Sequence, residues 1–190
     1  MENLNHIING CVRKEQNYQR LLYDRYRGFA LKVVFRYIYR YEKAVDVVTD
    51  GFVKAFTHFE QFRLRDGEDL EKLFMGWLKR IMINCCIDEL RQNHMLPEIG
   101  GIPEEVWSIN NKQDEADQLI LYKELISLVK ELPPKYRVVF NLYVVDGYSH
   151  SQIAEVMNIS VSTSRSNLTR AKALLQNLIK KMEEGKVCRI

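Results

Sequence analysis

The chain has 190 residues, 46% apolar and 28% charged, a globular composition that excludes a disordered, collagenous or disulfide-built protein. Lys and Arg number 28 against 25 Asp and Glu, and the resulting +3, with a pI of about 8.6, is too mild to name a partner. No apolar run reaches the roughly 18 residues of a membrane span, and the start Met1-Glu2-Asn3-Leu4-Asn5-His6 lacks the basic and apolar regions of a secretory signal.

All four prolines lie at 97, 103, 133 and 134, so nothing in the first 96 residues fixes φ or removes a backbone donor. Apolar residues there recur at three and four, which predicts helices near 2–11, 15–40, 42–60 and 70–93. Aromatics at helical spacing (Tyr18, Tyr23, Tyr26, Phe29, Phe35, Tyr37) read mostly as core. Cys11, Cys85, Cys86 and Cys188 form no C-x-x-C, and the adjacent pair in an apolar segment reads as core thiols. The expectation is a reduced cytoplasmic protein with no metal and no cofactor.

The helix over 42–60 repeats Glu42, Asp46 and Asp50 at four-residue spacing, each like-charge pair costing about 0.2–0.5 kcal/mol. Lys54 is placed to relieve Asp50 only. Such a face either suits a basic partner helix or is simply solvated. A carboxylate metal site would want Glu-x-x-His pairs on facing helices, and the sequence has none. Gly51 weakens this helix by up to about 1 kcal/mol. In the helix over 70–93, Arg80, Asn84, Asp88 and Arg91 form one polar stripe opposite Trp77, Ile81 and Cys85, with Lys79 beside it. Asp88 and Arg91 are spaced to pair along the helix.

From 94 to 118 the texture changes: Pro97, Gly100-Gly101 and Pro103 break structure, and six carboxylates against Lys112 give −5. This reads as an acidic flexible linker. Helicity resumes over Gln118–Glu131, breaks at Leu132-Pro133-Pro134, resumes over Lys135–Val145, and ends in two short helices. The fold class is all-α, as two small helical domains joined by that linker.

The two last helices carry the sharpest signal. Ser149 and Gln152 have capping-box spacing, Ile153, Val156 and Met157 form an apolar face, and Asn158 tolerates the left-handed turn before Ser160 caps the next helix. On a wheel of that helix, Val161, Ser164, Leu168, Ala171 and Leu175 gather on one side. Ser162, Thr163, Ser166, Thr169 and Arg170 gather on the other, flanked by Arg165 and Asn167. Solvated faces mix in Glu and Lys, yet no carboxylate occurs from 156 to 182. Small polar and guanidinium groups on the first turns are what major-groove readout needs.

Residues 119–182, through Glu131-Leu132-Pro133-Pro134, Gly147-Tyr148-Ser149, Ile153-Ala154 and Ser166-Asn167-Leu168-Thr169-Arg170-Ala171, resemble the C-terminal domain of extracytoplasmic-function sigma factors. Three positions depart from its pattern: Asn158 for a usual Gly, Ser164 for a usual Val, Asn167 for a usual Arg. Independently, Tyr18-x-x-Leu21-Leu22-Tyr23-x-x-Tyr26, Asp46-x-x-x-Asp50-x-Phe52-x-Lys54-Ala55-Phe56 and Trp77-Leu78-Lys79-Arg80-Ile81-x-x-Asn84-x-x-x-Asp88-x-x-Arg91 resemble that family's N-terminal domain.

The resemblance implies an alternative sigma factor that binds core RNA polymerase, directs it to a two-part promoter and opens the DNA without ATP, with no catalysis of its own. Its domains would span 1–93, the linker 94–118, the helix-turn-helix domain 119–182 and a tail 183–190. Ser162, Thr163, Arg165, Ser166, Asn167, Thr169 and Arg170 would read the upstream (−35) element. Lys79 and Arg80 would take phosphates at the downstream (−10) element, and Asn84 and Arg91 base edges. Asp88 there either accepts from a cytosine amine or orients Arg91. Glu42, Asp46 and Asp50 would meet a coiled coil of the polymerase's largest subunit, and the loop over 62–69 would capture a flipped base. The linker would thread a positively charged channel of the polymerase, and an anti-sigma factor would be a further partner. A stand-alone helix-turn-helix activator, its N-terminal half sensing or dimerising, is the rival reading.

Overall fold

The computed structural model describes residues 3–63, 69–93 and 124–187, and the chain divides into two compact units. The expected linker at 94–118 and most of the 62–69 loop lie outside the described residues. Among the described residues all regular structure is helical.

In the first unit, α1 (Leu4–Val12) starts where Asn3 Oδ1 accepts from the Asn5 N–H at 3.1 Å. It turns at Lys14, which adopts a left-handed φ of 61°, into α2 (Gln16–Val34). The sequence predicts this second helix to run to 40, but it ends six residues earlier. Tyr37, Ile38 and Tyr39 are each 0% exposed. Successive helical residues point about 100° apart, so this helix would have to be buried on every side to hide all three. Leaving the helix lets one short segment bury them together. The last turn tightens as Arg36 and Tyr37 N–H groups bond Val33 and Val34 carbonyls.

Next come α3 (Tyr41–Thr57), a 3₁₀ turn (Phe59–Gln61) and α4 (Leu70–Gln92). Helices α2, α3 and α4 pack mutually around Leu22, Val48, Phe52, Phe74, Leu78 and Met82. Gly51 now has a reason: a Cβ there would collide with Met82 Sδ on α4. The helix propensity it sacrifices permits the close approach of α3 to α4. Cys85 and Cys86 are buried thiols, as their apolar setting suggests.

In the second unit, residues 124–130 form α5, and α6 (Pro134–Phe140) begins with proline at a position needing no N–H. Arg137, buried on α6, donates from Nη1 to the Lys130 carbonyl at 3.2 Å. A π-helical segment (Asn141–Val145) follows, closed by Asp146 N–H on the Asn141 carbonyl at 2.9 Å. Then come α7 (His150–Met157) and α8 (Val161–Val187). The final helix is 27 residues long rather than short, and it continues through the boundary expected at 183. Both α6 and α7 pack on it, enclosing Val138, Leu142, Ile153, Met157, Leu168, Ala171 and Leu175.

Candidate nucleic-acid and partner interfaces

The turn between α7 and α8 is built from local side-chain chemistry. Ser149 Oγ accepts from Gln152 N–H at 3.2 Å while Gln152 Oε1 accepts from Ser149 N–H at 2.9 Å, the reciprocal capping box. Asn158 ends α7 with φ 52° and ψ 52°, inside the left-handed region. Ser160 Oγ accepts from the Thr163 N–H at 3.0 Å and starts α8. Ser149, Gln152, Asn158 and Ser160 thus fix the turn from which the second helix leaves.

That helix presents Ser162, Thr163, Arg165, Ser166, Thr169 and Arg170 to solvent and buries Ser164, Leu168, Ala171 and Leu175. Asn167 is the correction: at 8% exposure it lies on the packed side. Its spacing of three from Ser164 and four from Ala171 puts it on the buried ridge, at the edge where a wheel decides least. Arg170 Nη1 donates to Tyr136 Oη at 3.3 Å, so α6 steadies one guanidinium of the exposed face. Behind the face, the Ser164 hydroxyl lies 2.9 Å from His150 Nδ1, and the His150 ring stacks on Tyr143 at 4.5 Å and 23°.

In the first unit, Glu42, Asp46 and Asp50 are all exposed on α3, and Val53, 58% exposed, extends the same face. Lys54 does not pair as its spacing suggests. Its Nζ lies 3.4 Å from Asp88 Oδ2 on α4, so Lys54 makes an ion pair across the helices to Asp88. Lys43 bonds Glu89 at 2.8 Å in the same manner, and that hydrogen bond pushes the Lys43 ammonium pKa up. Burial pushes the Cys85 thiol up, with the Lys54 charge opposing it.

Along α4, Arg80, Asn84, Asp88 and Arg91 form the expected exposed stripe, with Lys79 half-buried beside it. Asp88 Oδ1 lies 4.0 Å from Arg91 Nη1, so Asp88 sits between two cations, Lys54 and Arg91. Both flanks of residues 64–68 are fastened. Phe62 packs against Phe59, Phe74 and Trp77, with ring centroids 5.4 to 6.1 Å apart. Asp69 Oδ1 caps α4 by accepting from Glu71 N–H at 2.9 Å. Glu71 in turn accepts from Arg25 Nη2 and Tyr26 Oη, each at 3.0 Å. Burial first, and then that carboxylate, push the Tyr26 phenol pKa up. These anchors join residues 45 and 46 apart, beyond the reach of a spacing argument. Of the helically spaced aromatics, Tyr26, Phe35 and Tyr37 are buried, and Tyr18, Tyr23 and Phe29 are half-buried.

Comparison with known proteins adds an independent line. Sigma-70 region 2 matches residues 22–94 and Sigma-70, region 4 matches residues 122–175. An ECF RNA polymerase sigma-E factor of Haemophilus influenzae is 28% identical over 169 residues, covering 84% of this chain and 86% of the relative. The ECF RNA polymerase sigma-E factor of Escherichia coli K12 is 28% identical, covering 91% and 92%. The ECF RNA polymerase sigma factor SigW of Bacillus subtilis is 24% identical, covering 83% and 86%. A solved structure of CnrH in complex with the cytosolic domain of CnrY covers 92% of this chain and 96% of that one, at 22% identity and a TM-score of 0.49.

Proposed function

Because the chain belongs to the extracytoplasmic-function sigma factors of the sigma-70 family, and so directs promoter-specific transcription initiation, we propose that its two units divide recognition between them. The first unit docks on core RNA polymerase through Glu42, Asp46 and Asp50. It meets the downstream element with Lys79, Arg80, Asn84 and Arg91, and Asp88 positions Arg91. The second unit reads the upstream element with Ser162, Thr163, Arg165, Ser166, Thr169 and Arg170. The acidic stretch 94–118 tethers them, and an anti-sigma factor competes for the same surfaces. The chain itself catalyses nothing and works in the cytoplasm, where the polymerase is.

One observation carries this reading: a carboxylate-free face of hydroxyl and guanidinium groups stands exposed on a helix that Ser160 caps and the Asn158 turn sets in place. The acidic face on α3 supports docking, because exposed like charges at four-residue spacing cost stability that a basic partner helix repays. The test is reconstitution of the full chain with core polymerase. Asp46→Lys with Asp50→Lys is expected to abolish co-purification. Arg165→Ala with Arg170→Ala is expected to leave co-purification intact, weaken upstream-element binding and flatten its salt dependence. Unchanged co-purification in the first, or an unchanged salt slope in the second, removes the corresponding assignment.

A further inference from the structure

The apolar side of α8 contains a polar residue that the DNA face does not use. Ser164 is 0% exposed, and it falls between Thr163 and Arg165, both on the exposed face. A hydroxyl buried without a partner would cost about 1–3 kcal/mol. Its partner is His150 Nδ1, at 2.9 Å, from the first turn of α7. The imidazole is held on its other side by the Tyr143 ring, which belongs to the π-helical segment continuing α6. One histidine therefore joins three elements of the unit at the point where the exposed face begins.

We infer that His150 is a positioning residue for upstream-element recognition: its bond to Ser164 sets the rotation of α8 about its own axis, and with it the discrimination between DNA sequences. The inference rests on the reading of α8 as the DNA-facing helix. Apolar packing of Ile153, Ala154 and Met157 against Leu168, Ala171 and Leu175 holds α7 and α8 together but is non-directional. A hydrogen bond constrains both distance and angle. Side-chain tips stand about 5–6 Å from a helix axis, so a rotation of about 20° displaces the tips of Thr163 and Arg165 by about 2 Å. That is more than paired contacts to a base edge survive, while contacts to phosphates tolerate it. The pair thus acts on specificity more than on affinity.

The experiment uses the full chain in complex with core polymerase and a duplex library randomised across the upstream element. Sequencing the bound fraction defines the preferred element, and its binding relative to a scrambled duplex defines the discrimination ratio. His150→Leu and Ser164→Val are each expected to lower that ratio by about tenfold, the value of one paired base contact. Their double variant is expected to be no worse than either alone, because each already removes the whole interaction. His150→Asn, whose Oδ1 can take the place of Nδ1, is expected to recover most of the ratio. A ratio that stays at wild type in both apolar variants, additive losses in the double variant, or no recovery by Asn would each overturn the inference. Ser164→Val replaces the hydroxyl with apolar volume one methyl larger, so melting of that variant reports whether the helix pair stays folded. Arg165→Ala with Arg170→Ala separates the two levels. If that variant binds the preferred element normally, the reading of α8 itself fails; if it loses binding while the His150 and Ser164 variants keep the ratio, the positioning role alone fails.

Discussion

The two units hold their helices in different ways. The first has an interior of apolar and aromatic groups, with Phe52, Phe59, Phe74, Tyr37 and Tyr39 all nearly inaccessible. Its cross-helix polar ties, Lys43 to Glu89, Lys54 to Asp88 and Arg25 to Glu71, lie at the rim. In the second, smaller core, Arg137, Asn141, Ser164 and Asn167 are buried, and among the described residues these are all the buried polar or charged side chains. Apolar volume decides which helices meet, and directional bonds decide how each is rotated. A docking face of carboxylates tolerates small rotations because charge attraction falls off slowly with distance. A face that reads base edges does not.

The largest expected effect tests the volume-packed unit. Phe74→Ala removes a ring that touches Tyr26, Phe59, Phe62 and Trp77, and should cost about 3–5 kcal/mol. Amide hydrogen exchange should accelerate through α2, α3 and α4. Loss confined to α4 would show that the unit does not share one core. Gly51→Val comes next, at about 1–3 kcal/mol, because the branched side chain meets Met82 across the α3–α4 contact. Met82→Ala in the same chain should relieve part of that cost, read as partial recovery of the urea midpoint.

Smaller effects separate the units further. Asn158→Ala should cost about 1 kcal/mol from the left-handed turn, while Asn158→Gly should be neutral or better. Equal losses in both would show that the side chain, and not the backbone angle, matters there. The last effect appears only in alkali. Burial pushes the Cys11 thiol from its ordinary 9.0 up to about 12, so the folded state favours the neutral form. Its contribution is complete below pH 9 and is lost as pH rises from 9 towards 12. A Cys11→Ala chain should show a flatter decline of stability across that window, measured by urea unfolding at stepped pH.

What the sequence made legible follows from how far each interaction reaches along the chain. Ser149 and Gln152, Asn158 and Ser160 act on backbone within a few residues, and each does what its spacing predicts. The exposed stripe of Arg80, Asn84, Asp88 and Arg91 was equally legible, because helical period alone sets it. The partner of Lys54 was not, since Asp88 lies 34 residues away and the helix's own spacing offered Asp50. Gly51 was readable as a weak point but not as a contact, because Met82 is brought to it by the fold. The end of α2 was hidden for the same reason. Tyr37, Ile38 and Tyr39 keep an apolar texture that helix and core segment share. Asn167 failed at the margin of the wheel, where one residue's rotation decides between solvent and core.

The placement of Asp88 between Lys54 and Arg91 has a consequence for how the first unit responds to salt. A carboxylate in a nucleic-acid face is usually read as repulsion. On the face proposed for the downstream element it would serve as a built-in counterion, the three groups together presenting a single positive charge to a phosphate strand. Cations already neutralised from within displace fewer condensed ions from the nucleic acid when they arrive. If the proposed α4 face meets the downstream element, the ionic-strength dependence of that binding is expected to be shallower than a count of the basic side chains on α3 and α4 implies, and Asp88→Asn is expected to steepen it.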